Sequence, residues 1–141
     1  MARVVRDARD AGVPVVYVND EGACGWQGDA PRVVRNALEE KGGELIEPLA
    51  PASAEPVLLK HRYSAFDHTA LDVLLGELHA DRVLLVGAAT EGCVVQTAID
   101  AREHGLKASI VVNACATTDP ELEEIALLYA SRVGGARLER I

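Results

Sequence analysis

Aromatic side chains are scarce in this sequence: one Trp, one Phe and three Tyr, 4% of 141 residues. A core cannot be built on rings, so Val, Leu, Ile and Ala must fill it. Cysteine is also sparse, with Cys24, Cys93 and Cys115 alone and no C-x-x-C pair. An odd count without that spacing argues against a disulfide framework and against a structural zinc site. His61, His68, His79 and His104 show no metal-ligand spacing either, so no metal and no other cofactor is expected. No apolar run approaches the roughly 20 residues that cross a bilayer. The opening MARVVRDARDAG is charged and lacks the apolar stretch of a secretory leader, so a cytoplasmic protein is expected. Basic residues are outnumbered, 14 against 22 acids, for a net charge of -8. Such a chain is a poor partner for nucleic acid or an anionic membrane. A small-molecule substrate, even an anionic one, stays open because pocket residues set their own potential.

What is present suits one domain over residues 1–141, with 49% hydrophobic and 26% charged residues. Residues 2–11 read as a helix closed by Gly12. The β-branched run VVYV (15–18) reads as a strand buried on both faces, ended by Asn19-Asp20. A Gly-rich loop (21–31) leads to a short helix in RVVRNALEEKGG (32–43), and the proline-punctuated stretch 47–56 must be extended or turned. VLLK (57–60) reads as a strand, 69–80 as a helix, RVLLVG (82–87) as a buried strand, 93–105 as a helix and 108–114 as a strand. Residues 118–134 read as a helix capped by Thr118 or Asp119 with Pro120 in the first turn. The tail ARLER is a short edge strand or frays. This alternation predicts a three-layer α/β/α fold with a mainly parallel, Rossmann-like sheet. Open α/β sheets usually begin with a strand, whereas this order begins with a helix.

Ligands in open α/β sheets bind beyond the carboxyl ends of strands. One such end is GAATEGC (87–93), where a strand bends through small residues into a helix beginning at Gly92, Cys93 and Val94. A thiol there faces backbone N–H groups and the positive end of the helix dipole, which favour thiolate. The same N–H groups would hold an oxyanion. Two readings fit Cys93 on this pattern: a nucleophile, or a small core residue. Lys60 ends the strand VLLK, and a cation close to the thiol would support thiolate; the competing reading is a surface lysine.

With both segments in view, the sequence resembles the isochorismatase-like cysteine hydrolases. LLKHRYSAF (58–66), VLLVGAATEGCVVQTAIDAREHG (83–105) and VVNACAT (111–117) carry the resemblance, together with YVND (17–20) and a loop Trp. It covers essentially the whole chain. It implies a six-stranded parallel sheet, with Cys93 as nucleophile and Lys60 as the partner lysine. It also implies a non-proline cis peptide at Ala88–Ala89 that aims backbone N–H groups at the oxyanion. Trp26 and Phe66 would be pocket walls, although ordinary loop packing fits each as well. Asn19, Ser64 and Thr90 would border the pocket, Thr90 chiefly as a structural residue of the bend. Tyr63 is a weaker candidate, Thr97 reads as helix packing, and Cys115 as a small core residue.

The departure from the family is its aspartate, which sits in a D-x-Q motif at the end of the first strand; no such motif occurs here. The expectation is that the first strand and about 25–35 residues are absent, so that the domain is amino-terminally incomplete. Asp20 follows the next strand and could approach the pocket with Asn19, although nothing in the motif makes it the base and it reads more readily as a solvated or turn-capping residue. The zinc-binding relatives carry D-x-H where this chain has NDEGAC (19–24), which again implies no metal. The resemblance thus implies hydrolysis of an amide-type C–N bond in a small molecule through a Cys93 thioester, in a homo-oligomer (dimer or tetramer). The alternatives are a non-catalytic binding or assembly relative and an isochorismate-type vinyl-ether hydrolase.

Overall fold

A computed structural model describes residues 1–21 and 29–141. Two compact units are seen, one of Ala2–His61 and one of Arg62–Ile141 together with Met1. Each is an α/β assembly in which every strand pair is parallel. That agrees with the alternation of the sequence, because parallel neighbours need helical crossovers between them.

The amino-terminal unit contains α1 (Ala2–Asp10), β1 (Tyr17–Asp20), α2 (Ala30–Glu39), α3 (Gly43–Ile46), a 3-10 turn (Glu47–Leu49) and β2 (Val57–Lys60). Gly12, at φ 69°, ends α1 in the left-handed conformation that a residue with a Cβ avoids. Asp29 caps α2 by accepting from the Arg32 N–H at 2.9 Å. β1 lies two residues later than the hydrophobic run suggests. Its register with β2 runs from Tyr17 opposite Val57 to Asp20 opposite Lys60. The expectation of a strand buried on both faces is corrected: Tyr17 and Val18 are half-buried, and Asn19 and Asp20 are exposed. Pairing with β2 sets the strand, and it draws in the polar residues that local pattern assigns to a turn.

The anchor of this unit is polar. The Arg9 guanidinium donates to both Glu55 oxygens at 2.8 and 2.7 Å, to the Tyr17 hydroxyl at 3.1 Å and to the Ala50 carbonyl at 3.1 Å. One bidentate pair thus joins α1, β1 and the proline-rich stretch. The hydrogen bond from Arg9 holds the Glu55 carboxyl below its usual range.

The carboxy-terminal unit contains α4 (Leu71–Glu77), β3 (Arg82–Ala88), a π-helical turn (Thr90–Val94), α5 (Val95–Glu103), β4 (Lys107–Ala116), α6 (Pro120–Arg132) and β5 (Arg137–Glu139), with sheet order β3-β4-β5. β4 is the central strand, and Ile110 and Val111 are fully buried on its two faces. β3 pairs only with β4 among the described residues, and Leu84 stays 44% exposed. The sequence expectation of a strand buried throughout is therefore corrected for β3. A bulge shifts its register between Leu85 and Gly87, and Gly87 takes φ 139° there. Asp119 caps α6, accepting from the N–H groups of Glu121 and Leu122 at 3.0 and 3.2 Å. No helix among the described residues is long and apolar enough to cross a membrane.

Candidate active site

Cys93 stands at the carboxyl end of β3, in the turn that opens α5. Ala89 is extended (φ -87°, ψ 144°), and its carbonyl accepts from Gly92 N–H at 3.1 Å and from Val94 N–H at 3.3 Å. The second bond spans five residues, so the turn is π-helical. The sequence pattern suggests an ordinary helix start at Gly92. Instead the winding begins at Thr90, and Cys93 is its fourth residue. Turns of this kind recur at functional sites. The Ala88–Ala89 peptide immediately before the turn is cis. Cys93 is half-buried.

Three polar side chains fix this corner. Thr90 is fully buried and its hydroxyl donates to the Ala116 carbonyl at 3.1 Å, tying the turn to the end of β4. Thr97 donates to the Cys93 carbonyl at 2.6 Å and accepts from the Ala65 N–H at 3.0 Å. The residue read as helix packing thus also joins the 62–69 loop to the thiol-bearing turn. Glu91 accepts from the hydroxyls of Thr117 and Thr118 at 2.7 and 2.6 Å and from the Thr118 N–H at 3.1 Å. Those bonds, the Thr118 hydroxyl first, lower the Glu91 carboxyl to about 2. Glu91 was not legible as a site residue, because its partners lie 26 and 27 positions away in sequence.

The 62–69 loop supplies further neighbours. The Tyr63 ring lies over Gly92, where an added Cβ would stand 3.7 Å from it, and the ring is largely exposed. Ser64 is fully buried and its hydroxyl accepts from Phe66 N–H at 3.2 Å, which shapes the loop. Phe66 stacks on His104, with ring centroids 4.4 Å apart and planes 15° from parallel. His104 caps the carboxyl end of α5, the end of that helix opposite to Cys93. Cys115 is half-buried, and burial pushes its thiol up.

In the amino-terminal unit a second cluster forms at the carboxyl ends of β1 and β2. Lys60 is 4% exposed, and its Nζ donates to Asp20 Oδ1 at 2.5 Å. Asp20 is exposed, as the solvated reading expects, and it is also paired with Lys60, since parallel register sets it opposite that residue. Glu21 N–H donates to the Lys60 carbonyl at 3.2 Å, and the buried Glu21 carboxylate meets His61 Nε2 at 2.7 Å. Sequence reading missed Glu21 and His61, and the signal for them was alternation of acid and base at two strand ends that pair. Asn19 is exposed beside Asp20. Trp26 and Cys24 lie outside the described residues. Among the described residues, no three His, Cys, Asp or Glu side chains converge as metal ligands.

Comparison with known proteins places these features. Residues 1–139 match the isochorismatase domain family. The chain is 32% identical over 126 residues to an uncharacterized isochorismatase family protein, YaaI of Bacillus subtilis, covering 89% of this chain and 69% of that one. It is 37% identical over 118 residues to maleamate amidohydrolase of Pseudomonas putida, covering 77% of this chain but 54% of the relative. Among solved structures, N-carbamoylsarcosine amidase of Thermoplasma acidophilum superposes with a TM-score of 0.74 at 33% identity, over 99% of this chain and 79% of that one. The chain thus spans little more than half of one named amidohydrolase and about seven-tenths of YaaI. On the domain match, the identities and the shared α/β architecture, the protein belongs to the isochorismatase family.

Proposed function

We propose that the protein hydrolyses an amide-type C–N bond of a small molecule, with Cys93 as the nucleophile. The observation that carries this reading is the seat of Cys93 in a braced π-helical turn at a strand end, where the fold class binds ligands. The relatives named for maleamate and N-carbamoylsarcosine supply the bond type. In the reaction, thiolate sulfur attacks the carbonyl carbon and a C–S bond forms. Backbone N–H groups around Ala89 and Cys93 take up the oxyanion charge. The tetrahedral adduct collapses, the C–N bond breaks, and nitrogen leaves as the amine with the proton released by the thiol. Water then attacks the thioester, freeing the acid and restoring the thiol. Lys60 takes the supporting role of the family lysine, and Asp20 holds its ammonium group.

The test is ammonia release from maleamate, N-carbamoylsarcosine and a panel of small primary amides. Cys93→Ala should lower turnover by about 10⁴-fold or more, while Cys115→Ser retains it. Mass spectrometry of the trapped acyl-enzyme should place the adduct on Cys93. Turnover that survives both Cys93→Ala and thiol alkylation would overturn the mechanism, and survival on isochorismate in particular would favour vinyl-ether hydrolysis.

A further inference from the structure

Each strand of the carboxy-terminal sheet begins with a cation. Arg82 opens β3, Lys107 opens β4 and Arg137 opens β5. Register decides where these side chains go. Arg82 is opposite Lys107, and Arg137 is opposite Ser109, two residues along from Lys107. Partners in a parallel ladder share a face, and so do residues two apart on one strand. All three cations therefore leave the same face of the sheet. α5 adds a fourth, Arg102, in its last turn. Together they line a cavity of about 370 Å³, walled by α5 and the Gly134-Gly135 turn. The cavity lies wholly within the carboxy-terminal unit, at the opposite end of β3 from Cys93.

The charge of this cavity runs against the charge of the chain. The protein has 22 acids and 14 bases, yet of the ten lining residues four are basic and none is acidic, which sets the local potential positive. Nearby carboxylates do little to cancel it. Arg82, Arg102 and Arg137 make no ion pair among the described residues. Lys107 meets Asp81 at 3.9 Å, but both side chains are largely exposed, so water screens the pair. Glu139 leaves the sheet on the same face as Arg137, and its carboxylate is engaged by the Ser109 hydroxyl at 2.7 Å. Arg102 gives one N–H to the Val133 carbonyl at 2.8 Å, which steadies the guanidinium against the turn and leaves other donors of the fork for a ligand. The carbonyl end of α5 adds a partial negative charge, and Arg102 in its last turn offsets it.

Four like charges around one small space repel one another, and an anion with two or more charges relieves that repulsion. A lone carboxylate carries one charge. A phosphate monoester or a diphosphate carries more, and its oxygens match the paired donors of three guanidinium forks. The volume is at the small end of ligand pockets, which suits a phosphate group with little attached to it. We propose that this cavity binds a small phosphate-bearing molecule of at least two negative charges, held by Arg82, Arg102, Lys107 and Arg137. The site is separate from Cys93 and stands independently of the chemistry there.

Calorimetric titration of the chain with inorganic pyrophosphate, at constant ionic strength, tests it. One site per chain should fill with a dissociation constant below about 1 mM, and Cys93→Ala should bind equally. Arg82→Gln and Arg137→Gln, both at exposed positions, should each weaken binding about tenfold with an unchanged circular dichroism spectrum. The double variant should lose about 100-fold. Arg132→Gln removes the same charge from α6 outside the cavity and should change the affinity less than about twofold. Absence of saturable binding up to about 10 mM overturns the proposal. So does a double variant that binds as before, an Arg132→Gln variant weakened as much as the cavity variants, or loss of binding in Cys93→Ala.

Discussion

In the carboxy-terminal unit, Ile110 and Val111 of β4 are fully buried, and Ala98, Ala101 and Ala130 of α5 and α6 are buried without remainder. In the described part of the amino-terminal unit, the only buried apolar residues are Val4 and Val5 of α1. There, order rests on polar devices: Arg9 clamped on Glu55, Lys60 on Asp20, and His61 on Glu21. The two units share an α/β pattern but hold it by different means. Small alanines let α5 lie close on β4 and α6 close on α5, so dispersion and burial do the stabilising. Charged pairs at strand ends add less net stability, because each gain is set against desolvation. What they provide is orientation. Lys60 has a fixed direction because its register partner is an acid.

The largest break of this comparison comes from the apolar side. Ile110→Ala should destabilise the carboxy-terminal unit by about 2–5 kcal/mol, since the side chain has no exposed surface through which the cavity can refill. Urea unfolding followed by circular dichroism measures it, and a loss below about 1 kcal/mol would show that the β4 core is loosely packed. Glu55→Ala should have a smaller and local effect. It leaves the part-buried Arg9 guanidinium without its bidentate partner, so amides of α1 and β1 should exchange faster in hydrogen exchange while β4 is unchanged. Equal acceleration in β4 would mean that the two units open together.

The smallest effect concerns pH. Glu91 has its carboxyl lowered to about 2 from an ordinary 4.5. A group depressed in the folded state contributes stability above its unfolded value, and that contribution is lost as pH falls from about 4.5 to about 2. Acid titration of stability should therefore show a downward slope in that window, and Glu91→Gln should flatten it without changing the slope at neutral pH. An unaltered acid limb would mean that the Thr117 and Thr118 hydroxyls do not hold the carboxylate in solution.

Much of the chain could be read before its structure. VLLK at 57–60 is β2 to the residue, Gly12 closes α1, and Asp119 with Pro120 starts α6. Those features rest on local backbone chemistry, which any stretch of sequence carries with it. The placement of β1 two residues late, the exposure of β3 and the π-helical start at Thr90 were not legible. Each depends on a partner strand or a carbonyl outside the local window. The candidate site divides the same way. Cys93 and Lys60 stand out by position and motif, whereas Glu21, His61, Glu91 and the second role of Thr97 emerge only from contacts.

The sequence by itself determined the alternation of helices and strands, their caps, and the arrival of a thiol at a strand end. It did so because propensity, turn chemistry and hydrophobic period act over a few residues. Only the tertiary structure decided that Asp20 holds Lys60 across 40 positions, that Thr97 joins Ala65 to Cys93, and that Glu91 clamps the loop ahead of α6. Parallel pairing brings together residues separated by whole crossovers, and the register that selects the partners is set by the packed sheet.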